Sequence, residues 1–396
     1  MAKRDVSVGS MTVAQTVAIA EAYLSELRDI HATQANSPEV SYYPALANLF
    51  NGVAKSLRPK VLCVMNLKDQ GADNPDGGLF TADQFSRGAD TKRAGGLPPS
   101  RGAIEVKSTS KDIKTIAASK QVAKYLDLYR IVLVTNLRSF LIVERGADRR
   151  PIEREAFYLA DNEQDFWQSK VAHPRATAQQ KGQQFVEFVK RACLHDAPLV
   201  DPKLVAWFLA SYAKDALARV EQQKHLHALQ TVRSALEEAL GMKFTEERGE
   251  HFFRSTLVQT LFYGVFSAWV LWHRETADRN ARFDWQKAAW FLQVPFIRTL
   301  YEEIAKASRL GPLGLVEVLD WAAGVLNRVE REEFFTRFAD EHAVQYFYEP
   351  FLQAYDPELR QQLGVWYTPP EIVKYTHQES DFGEGLKFLW DCGRNS

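Results

Sequence analysis

The sequence has few cysteines, and it has no long apolar run at its start. Three cysteines, Cys63, Cys193 and Cys392, stand far apart in 396 residues, so they form neither a paired metal motif nor a disulfide framework. The first residues, Met-Ala-Lys-Arg-Asp-Val, lack the apolar region of a signal peptide. Both absences are typical of a protein from a reducing compartment, so we expect a cytoplasmic location.

An excess of one charge is also absent, and the chain has one long uncharged stretch. It carries 49 Lys and Arg against 50 Asp and Glu, which argues against a protein that coats nucleic acid by charge alone. The uncharged segment 255–272 contains Thr256, Gln259 and Ser267, so we interpret it as a buried core helix and expect no membrane contact. With 46% hydrophobic residues, a chain of this length is expected to form two or three domains.

The most informative stretch is the apolar segment 102–107, in which an acid and a base stand two residues apart. On a strand, Glu105 and Lys107 point to one face, while their neighbours point into a core. Such a strand costs desolvation free energy unless both charges are used. Asp76 lies 29 residues before Glu105, in a turn-like Asn-Pro-Asp-Gly-Gly run. Two carboxylates for Mg²⁺ and a lysine for the attacking water are what phosphodiester hydrolysis needs.

This pattern resembles the PD-(D/E)xK nuclease superfamily, with Pro75-Asp76 as the first half and Glu105-Val-Lys107 as the second. The predicted helix 112–128 follows, and two predicted strands, 130–135 and 139–143, come next in the order of that nuclease core. The resemblance implies an α/β domain with a mixed sheet flanked by helices, in which Asp76 and Glu105 bind Mg²⁺.

A second short motif lies within that predicted helix. Gln121-Val-Ala-Lys-Tyr125 places two side chains on one helical face and resembles the Q-x-x-x-Y pair of RecB-like members of the superfamily. The resemblance therefore implies a catalytic set of five residues: Asp76, Glu105, Lys107, Gln121 and Tyr125.

Each part of this pattern also has an ordinary structural explanation. A Glu and a Lys on one strand face usually form a surface ion pair worth under about 1 kcal/mol, and Asp76 suits a simple turn. Glu39, ahead of the predicted helix 41–53, is either a further acid of the site or a helix-start carboxylate favoured by the helix dipole. The order and spacing of the whole set favour the nuclease interpretation.

Local charge agrees with a phosphate-bearing partner. Between residues 90 and 125, eight basic residues stand against the three acids Asp90, Glu105 and Asp112, which gives 8 − 3 = +5. The basic residues are Lys92, Arg93, Arg101, Lys107, Lys111, Lys114, Lys120 and Lys124. A basic face beside a cleft binds a nucleic-acid backbone, so we expect double-stranded DNA as a partner, although solvated helix faces have the same composition.

Beyond residue 150 the pattern becomes helical. Leu, Trp and Phe recur at spacings of three and four residues, and strand patterns are rare. We therefore expect a nuclease domain over residues 1–150, a mainly α-helical spacer over 151–340 and a third segment over 341–396.

The third segment carries a motif of its own. Residues 348–375 contain Y-E-x-F-L-x-x-Y-D and then G-V-x-Y-T-P-x-x-I-V-x-Y, which closely resembles the lead-in to adenine-specific DNA methyltransferases of type IIG and type ISP restriction-modification enzymes. The resemblance implies that Tyr367, Thr368 and Pro369 open an S-adenosylmethionine pocket. A capping box formed by Thr368 and Glu371 explains those two residues without any ligand.

The rest of a methyltransferase pattern does not follow. The acidic Gly-rich cofactor loop and the Asn/Asp-Pro-Pro-aromatic tetrapeptide that holds a flipped adenine are missing. We expect a truncated reading frame, or a separate chain that supplies methyltransferase and specificity, with S-adenosylmethionine bound only by the complete enzyme. This chain alone should not methylate DNA.

The combined prediction is the N-terminal part of a restriction-modification enzyme, a Mg²⁺-dependent DNA endonuclease joined to a missing adenine-specific methyltransferase. One alternative is a fragment or subunit of such a methyltransferase whose nuclease-like domain only binds DNA. Another is a non-catalytic assembly subunit with a decayed site. Divalent-cation binding that depends on Asp76 separates the first interpretation from the other two.

Overall fold

The computed structural model describes residues 7–34, 39–67, 74–86, 98–146, 148–223, 246–276, 280–338 and 347–356, together with a few isolated positions between 230 and 278. The chain divides between Pro198 and Leu199 into two compact units.

The first unit contains eight strands and seven α-helices in its described part. The strands are β1 (Ser7–Val8), β2 (Leu57–Arg58), β3 (Val61–Met65), β4 (Gly77–Thr81), β5 (Ala103–Val106), β6 (Ile131–Thr135), β7 (Ser139–Arg145) and β8 (Pro151–Tyr158). The helices are α1 (Val13–Ala32), α2 (Tyr43–Ala54), α3 (Ala82–Ser86), α4 (Ile113–Ala117), α5 (Lys120–Tyr129), α6 (Glu163–Asp165) and α7 (Pro174–Leu194). A 3₁₀ turn spans Glu39–Tyr42, and a π-helical turn spans Phe166–Val171.

Six strands form one mixed sheet in the sequential order β3 to β8. Strands β5 and β6 are parallel, because the connection through α4 and α5 is long enough to return the chain to the same edge. The other neighbouring strands are antiparallel. The parallel register places Glu105 beside Val134, so the predicted Glu-x-Lys strand lies inside the sheet.

Both faces of the sheet are covered, which explains the near-continuous apolar runs of β5 and β6. On one face Ala103 and Val134 pack with Val122 and Tyr125 of α5. On the other face the ring of Phe140 in β7 contacts rings from helices α1 and α7, with centroid distances of 6.3 Å to Tyr23 and 5.1 Å to Phe185. The predicted arrangement of a mixed sheet flanked by helices is therefore confirmed at the level of secondary-structure layers.

Several predicted elements differ in their bounds. The predicted helix 112–128 is broken into α4 and α5, because the Ser119 side chain caps the second helix by accepting from Val122 N. Gly77 and Gly78, predicted as part of a turn, are strand residues of β4. A Cβ on Gly78 would stand 2.7 Å from the rigid ring of Pro99, so a larger residue would force the backbone there to shift.

The first unit also continues past the predicted boundary at residue 150. Strand β8 pairs along its length with β7, and Phe185 of α7 stacks on Phe157 of β8 with ring centroids 5.3 Å apart. A boundary at 150 would remove a strand and a covering helix from the sheet, which is why the compact unit extends to Pro198.

The described part of the second unit is helical and contains no strand. Its helices are α8 (Pro202–Glu221), α9 (Glu246–Glu275), α10 (Ala288–Phe291), α11 (Pro295–Ile304), α12 (Ala307–Leu310), α13 (Leu315–Leu326), α14 (Arg331–Arg337) and α15 (Glu349–Tyr355). Trp269 of α9 is fully buried and contacts Phe334 of α14. No helix of the described chain is long and apolar enough to cross a membrane.

Helix α15 carries the first half of the methyltransferase-like motif. Its Phe351 packs against Tyr263 of α9, and the buried Tyr355 hydroxyl donates to Ser255 O at 3.1 Å. Helix α15 therefore packs on α9 within the second unit. Tyr367, Thr368 and Pro369 lie outside the described residues.

Candidate active site

Glu105 provides a carboxylate in the interior of the sheet. Strand β5 lies between β4 and β6, so the side chain is only 1% exposed. Burial raises the pKa of Glu105 to about 7, the nearby Asp76 carboxylate adds to the rise, and the hydrogen bond from Lys107 opposes it. Among the described residues, no donor reaches its buried Oε2 atom, and the neighbouring side chain is the Asp76 carboxylate, which is itself an acceptor. An acceptor in this position is costly to bury unless a ligand binds it.

Lys107 follows the end of β5 and turns back toward the acids. Its ammonium donates to Glu105 Oε1, lies 3.2 Å from Val106 O and stands 4.0 Å from Asp76 Oδ2. Burial alone would lower the pKa of Lys107, but the hydrogen bond and charge of Glu105 outweigh it and raise the pKa. Lys107 is therefore a protonated donor at neutral pH, shared between two carboxylates.

Asp76 stands immediately before β4 and is held from two sides. Val106 N donates to its Oδ2 at 2.8 Å, and the Tyr43 hydroxyl donates to its Oδ1 at 2.5 Å. The main chain of Asp76 is fixed as well, since its carbonyl accepts from Asn66 N at 2.6 Å. The structure thus brings together Asp76, Glu105 and Lys107, as their pattern predicts.

Tyr125 of α5 contacts the segment that precedes Asp76, and Gln121 of the same helix contacts Tyr125. Gln121 Nε2 donates to the Tyr125 hydroxyl at 2.9 Å, and that hydroxyl donates to Asn74 O at 3.1 Å, two residues before Asp76. The Tyr125 side chain is fully buried. These contacts hold the segment that carries Asp76, and the predicted place of Gln121 and Tyr125 in the catalytic set stays a prediction.

Glu39 lies beside the site in the 3₁₀ turn. Its Oε1 accepts from Ser108 N at 2.8 Å, directly after Lys107, and its negative charge contributes to the raised pKa values of Lys107 and Tyr43. Glu39 therefore belongs to the electrostatic surroundings of the site. Its position in the first turn of a helix agrees equally with the structural explanation.

Tyr43 is the site residue that the sequence pattern does not reveal. It lies 33 residues before Asp76, and its apolar neighbours in α2 make it look like an ordinary core position. Burial raises the pKa of Tyr43 first of all, and the hydrogen bond to Asp76 raises it further. The hydroxyl therefore stays protonated and donates to the carboxylate.

The two carboxylates suit a hard divalent cation that keeps several water ligands, and not a cation held by protein ligands alone. In the described part of the chain, no group of three or more His, Cys, Asp or Glu side chains could hold a metal ion. Mg²⁺ usually keeps several waters and binds through one or two carboxylates plus substrate phosphate. Asp76 and the unpartnered Oε2 of Glu105 supply that number of protein ligands.

The predicted basic face is present in part. Lys111, Lys114, Lys120 and Lys124 are exposed on and beside α4 and α5, next to the segment that follows Lys107. Arg101 is instead buried, and burial lowers its pKa, so it does not belong to the exposed basic surface. Lys92 and Arg93 lie outside the described residues.

Comparisons with known proteins give no assignment. A scan of protein-family models, a search of curated proteins and a search of solved structures found no match to this chain. The resemblances to nuclease and methyltransferase families therefore stay predictions.

Proposed function

We propose that this chain is a Mg²⁺-dependent DNA endonuclease, the nuclease part of a restriction-modification enzyme of the type IIG or type ISP kind. The observation that carries the proposal is the buried, unpartnered Oε2 of Glu105, held beside Asp76 and a protonated Lys107. A divalent cation bound by the two carboxylates would give this oxygen a partner.

The arrangement suits phosphodiester hydrolysis. A bound Mg²⁺ supplies Lewis acidity and makes a coordinated water easier to deprotonate. Asp76 and Glu105 would hold the cation, with Asp76 oriented by its bonds from Val106 N and Tyr43. Lys107, whose pKa is raised, would donate hydrogen bonds to water or to a phosphate oxygen and would not act as a base.

A purely structural ion pair explains this site less well. Burial of the Glu105 carboxylate loses hydration that the attraction of Lys107, whose side chain is 31% exposed, returns only in part. Among the residues that the structure describes, the second oxygen of Glu105 receives no hydrogen bond, which makes the cost greater. Retention of these groups inside the sheet is therefore better explained by use of the site.

The alternative function is DNA binding without cleavage, as a fragment or subunit of an adenine-specific methyltransferase. The four exposed lysines on and beside α4 and α5 favour DNA contact under either function. In both cases S-adenosylmethionine would bind only to a complete enzyme, in which a separate chain could supply methyltransferase and specificity.

The deciding experiment combines cation binding with cleavage. Calorimetric titration with Mn²⁺ and cleavage of supercoiled plasmid in Mg²⁺ are measured for the wild type, Asp76→Ala and Glu105→Gln. Both variants should lose cation binding and lose cleavage by about 1,000-fold or more, because the cation supplies several kcal/mol to the transition state. Asp127→Asn, an exposed acid of α5, is the control and should behave as the wild type.

The outcomes separate the two functions. Wild-type protein that binds DNA but neither binds Mn²⁺ nor cleaves would favour the DNA-binding alternative. Variants that retain cation binding would show that Asp76 and Glu105 are not the ligands.

A further inference from the structure

Three aromatic rings lie in contact in the first unit. The His31 ring lies nearly parallel to that of Trp167, with an interplanar angle of 8° and a centroid distance of 3.8 Å. Tyr42 contacts the same indole at 6.0 Å, with the two rings tilted by 40°. His31 is exposed, Trp167 is half-buried and Tyr42 is buried. We call these three residues the ring stack.

The local backbone holds Trp167 in place. Trp167 lies in the π-helical turn Phe166–Val171, and such turns are rare and frequently occur at functional sites. The preceding Phe166 is fully buried and meets the indole edge-on at 4.9 Å. The ring stack therefore packs on the buried Phe166 through Trp167, and its His31 side chain is exposed.

The ring stack adjoins the candidate active site through direct contacts. Trp167 Nε1 donates to Thr109 Oγ1 at 3.2 Å, and Thr109 comes two residues after Lys107, within about 7 Å along an extended chain. From the other side, Tyr42 directly precedes Tyr43, whose hydroxyl bonds to Asp76. The rings thus lie next to the segments that carry Lys107 and Tyr43.

Two acids lie near the rings. Glu163 accepts a hydrogen bond at 2.5 Å from the Thr109 hydroxyl, which carries no charge of its own, and Asp165 stands 3.8 Å from the ammonium of Lys170. The segment after Thr109 adds the exposed Lys111. The surroundings therefore combine an exposed histidine ring with both acidic and basic side chains, so the ring contact itself is the feature that would hold a base.

We propose that the face of the His31 ring turned away from Trp167 is a stacking platform for an unpaired nucleobase. This inference rests on the proposed function, since the base would belong to the strand whose phosphate enters the Asp76–Glu105 site. A base stacks on an aromatic ring without regard to its identity, so the platform would hold a frayed or single strand and would not read sequence. Such a platform would place the strand beside the two carboxylates.

Binding is tested in the absence of divalent cations, so that no cleavage occurs. Fluorescence anisotropy compares a labelled single-stranded oligonucleotide with a strand of the same length that contains abasic sugars. Wild-type protein should prefer the strand with bases, and His31→Ala should weaken that binding by about five-fold or more, with little change for the abasic strand. His31→Phe should restore the preference, because it keeps an aromatic ring and removes only the ring nitrogens.

A second signal comes from 2-aminopurine, whose fluorescence is quenched when it stacks. The probe should be quenched by the wild type and by His31→Phe but not by His31→Ala. His173→Ala is the matched control, because His173 is also an exposed histidine of this unit and its side chain makes no capping hydrogen bond. This control should bind both strands as the wild type does.

Several results would overturn the platform. They are the absence of oligonucleotide binding, equal binding of base-containing and abasic strands, and unchanged binding by His31→Ala. Loss of binding in both His31→Ala and His31→Phe would show that the ring nitrogens hold the strand, which would also overturn the stacking platform. Plasmid cleavage by the wild type in Mg²⁺ is scored separately, so the platform and the nuclease proposal can fail independently.

Discussion

Hydrogen bonds at single residues determine where the Asp76 carboxylate points. Its two oxygens accept from Tyr43 and Val106, and its preceding segment is held through Asn74 O by Tyr125. None of these donors needs to touch a substrate. Because a carboxylate that binds a cation must be held within a fraction of an ångström, loss of one such donor should reduce activity more than stability.

Tyr125→Phe tests this directly. The change removes a buried hydroxyl that donates to Asn74 O and accepts from Gln121, so we expect a loss of about 1 kcal/mol in the free energy of unfolding. We also expect weaker Mn²⁺ binding, because the Asp76 segment loosens. Urea unfolding and calorimetric titration measure the two effects.

Tyr129→Phe is the matched control in the same helix. Within the described part of the chain the buried Tyr129 hydroxyl makes no hydrogen bond, so its removal should not weaken cation binding and should not destabilise the fold. Equal losses of unfolding free energy and of Mn²⁺ affinity in the two variants would show that the hydrogen bonds of the Tyr125 hydroxyl do not position Asp76.

At the scale of secondary-structure elements, strand β7 is joined to β8 and to the end of α7 by charged groups. Glu144 accepts from Arg154 Nε at 2.6 Å, and His195 Nε2 lies 3.8 Å from the same oxygen. Burial would raise the pKa of Glu144, but the neighbouring His195 and Arg154 outweigh it and lower the pKa to about 2. A carboxylate with a lowered pKa stabilises the fold when it is ionised.

Glu144→Gln should therefore destabilise the first unit in a pH-dependent way. The contribution of Glu144 is fully present above its ordinary pKa of 4.5 and is lost as the pH falls through about 2. We expect a cost of about 1–3 kcal/mol near neutral pH that shrinks as the pH falls below about 4. Urea unfolding from about pH 7 to about pH 3 measures it.

The control on the neighbouring strand is Glu153→Gln. Glu153 pairs with Lys114 at 3.9 Å, and both side chains are about half exposed, so the change should cost less than about 0.5 kcal/mol at any pH. A constant difference between wild type and Glu144→Gln across the pH range would contradict the proposed role of ionisation.

At the scale of the whole molecule, the first unit contains the complete candidate site. Hydrogen bonds among Glu39, Tyr43, Asp76, Val106, Lys107, Ser108, Gln121 and Tyr125 all lie within it. Its sheet is completed by β8 and covered by α7, both of which follow residue 150.

A fragment of residues 1–198 should fold and bind Mn²⁺ with the affinity of the full chain. A fragment of residues 1–150 should not fold cooperatively, because it lacks β8 and α7 and would expose Phe140 and its neighbours. Thermal unfolding followed by circular dichroism distinguishes the two. Cooperative unfolding of the shorter fragment would contradict the unit boundary at Pro198.

The sequence by itself determined much of the local structure of the first unit. The apolar run around Glu105 predicted a strand, and the spacing of apolar residues in 41–53 and 112–128 predicted helices, since these periods follow directly from backbone geometry. The break at Ser119 and the strand bounds of β4 were not predicted. The apolar spacing continues across the Ser119 cap, and the two glycines of β4 look like turn residues although they lie close to neighbouring segments.

Only the tertiary structure decided which side chains contact one another in and beside the candidate site. Tyr43, Glu39 and Trp167 are distant in sequence from Asp76 and Lys107, and no periodicity links them. The burial of Glu105 depends on strands and helices on both sides of β5, so neither its raised pKa nor its unpartnered oxygen can be read from the segment 102–107. Burial and hydrogen bonding are properties of groups brought together by the whole fold, whereas periodicity is a property of the chain alone.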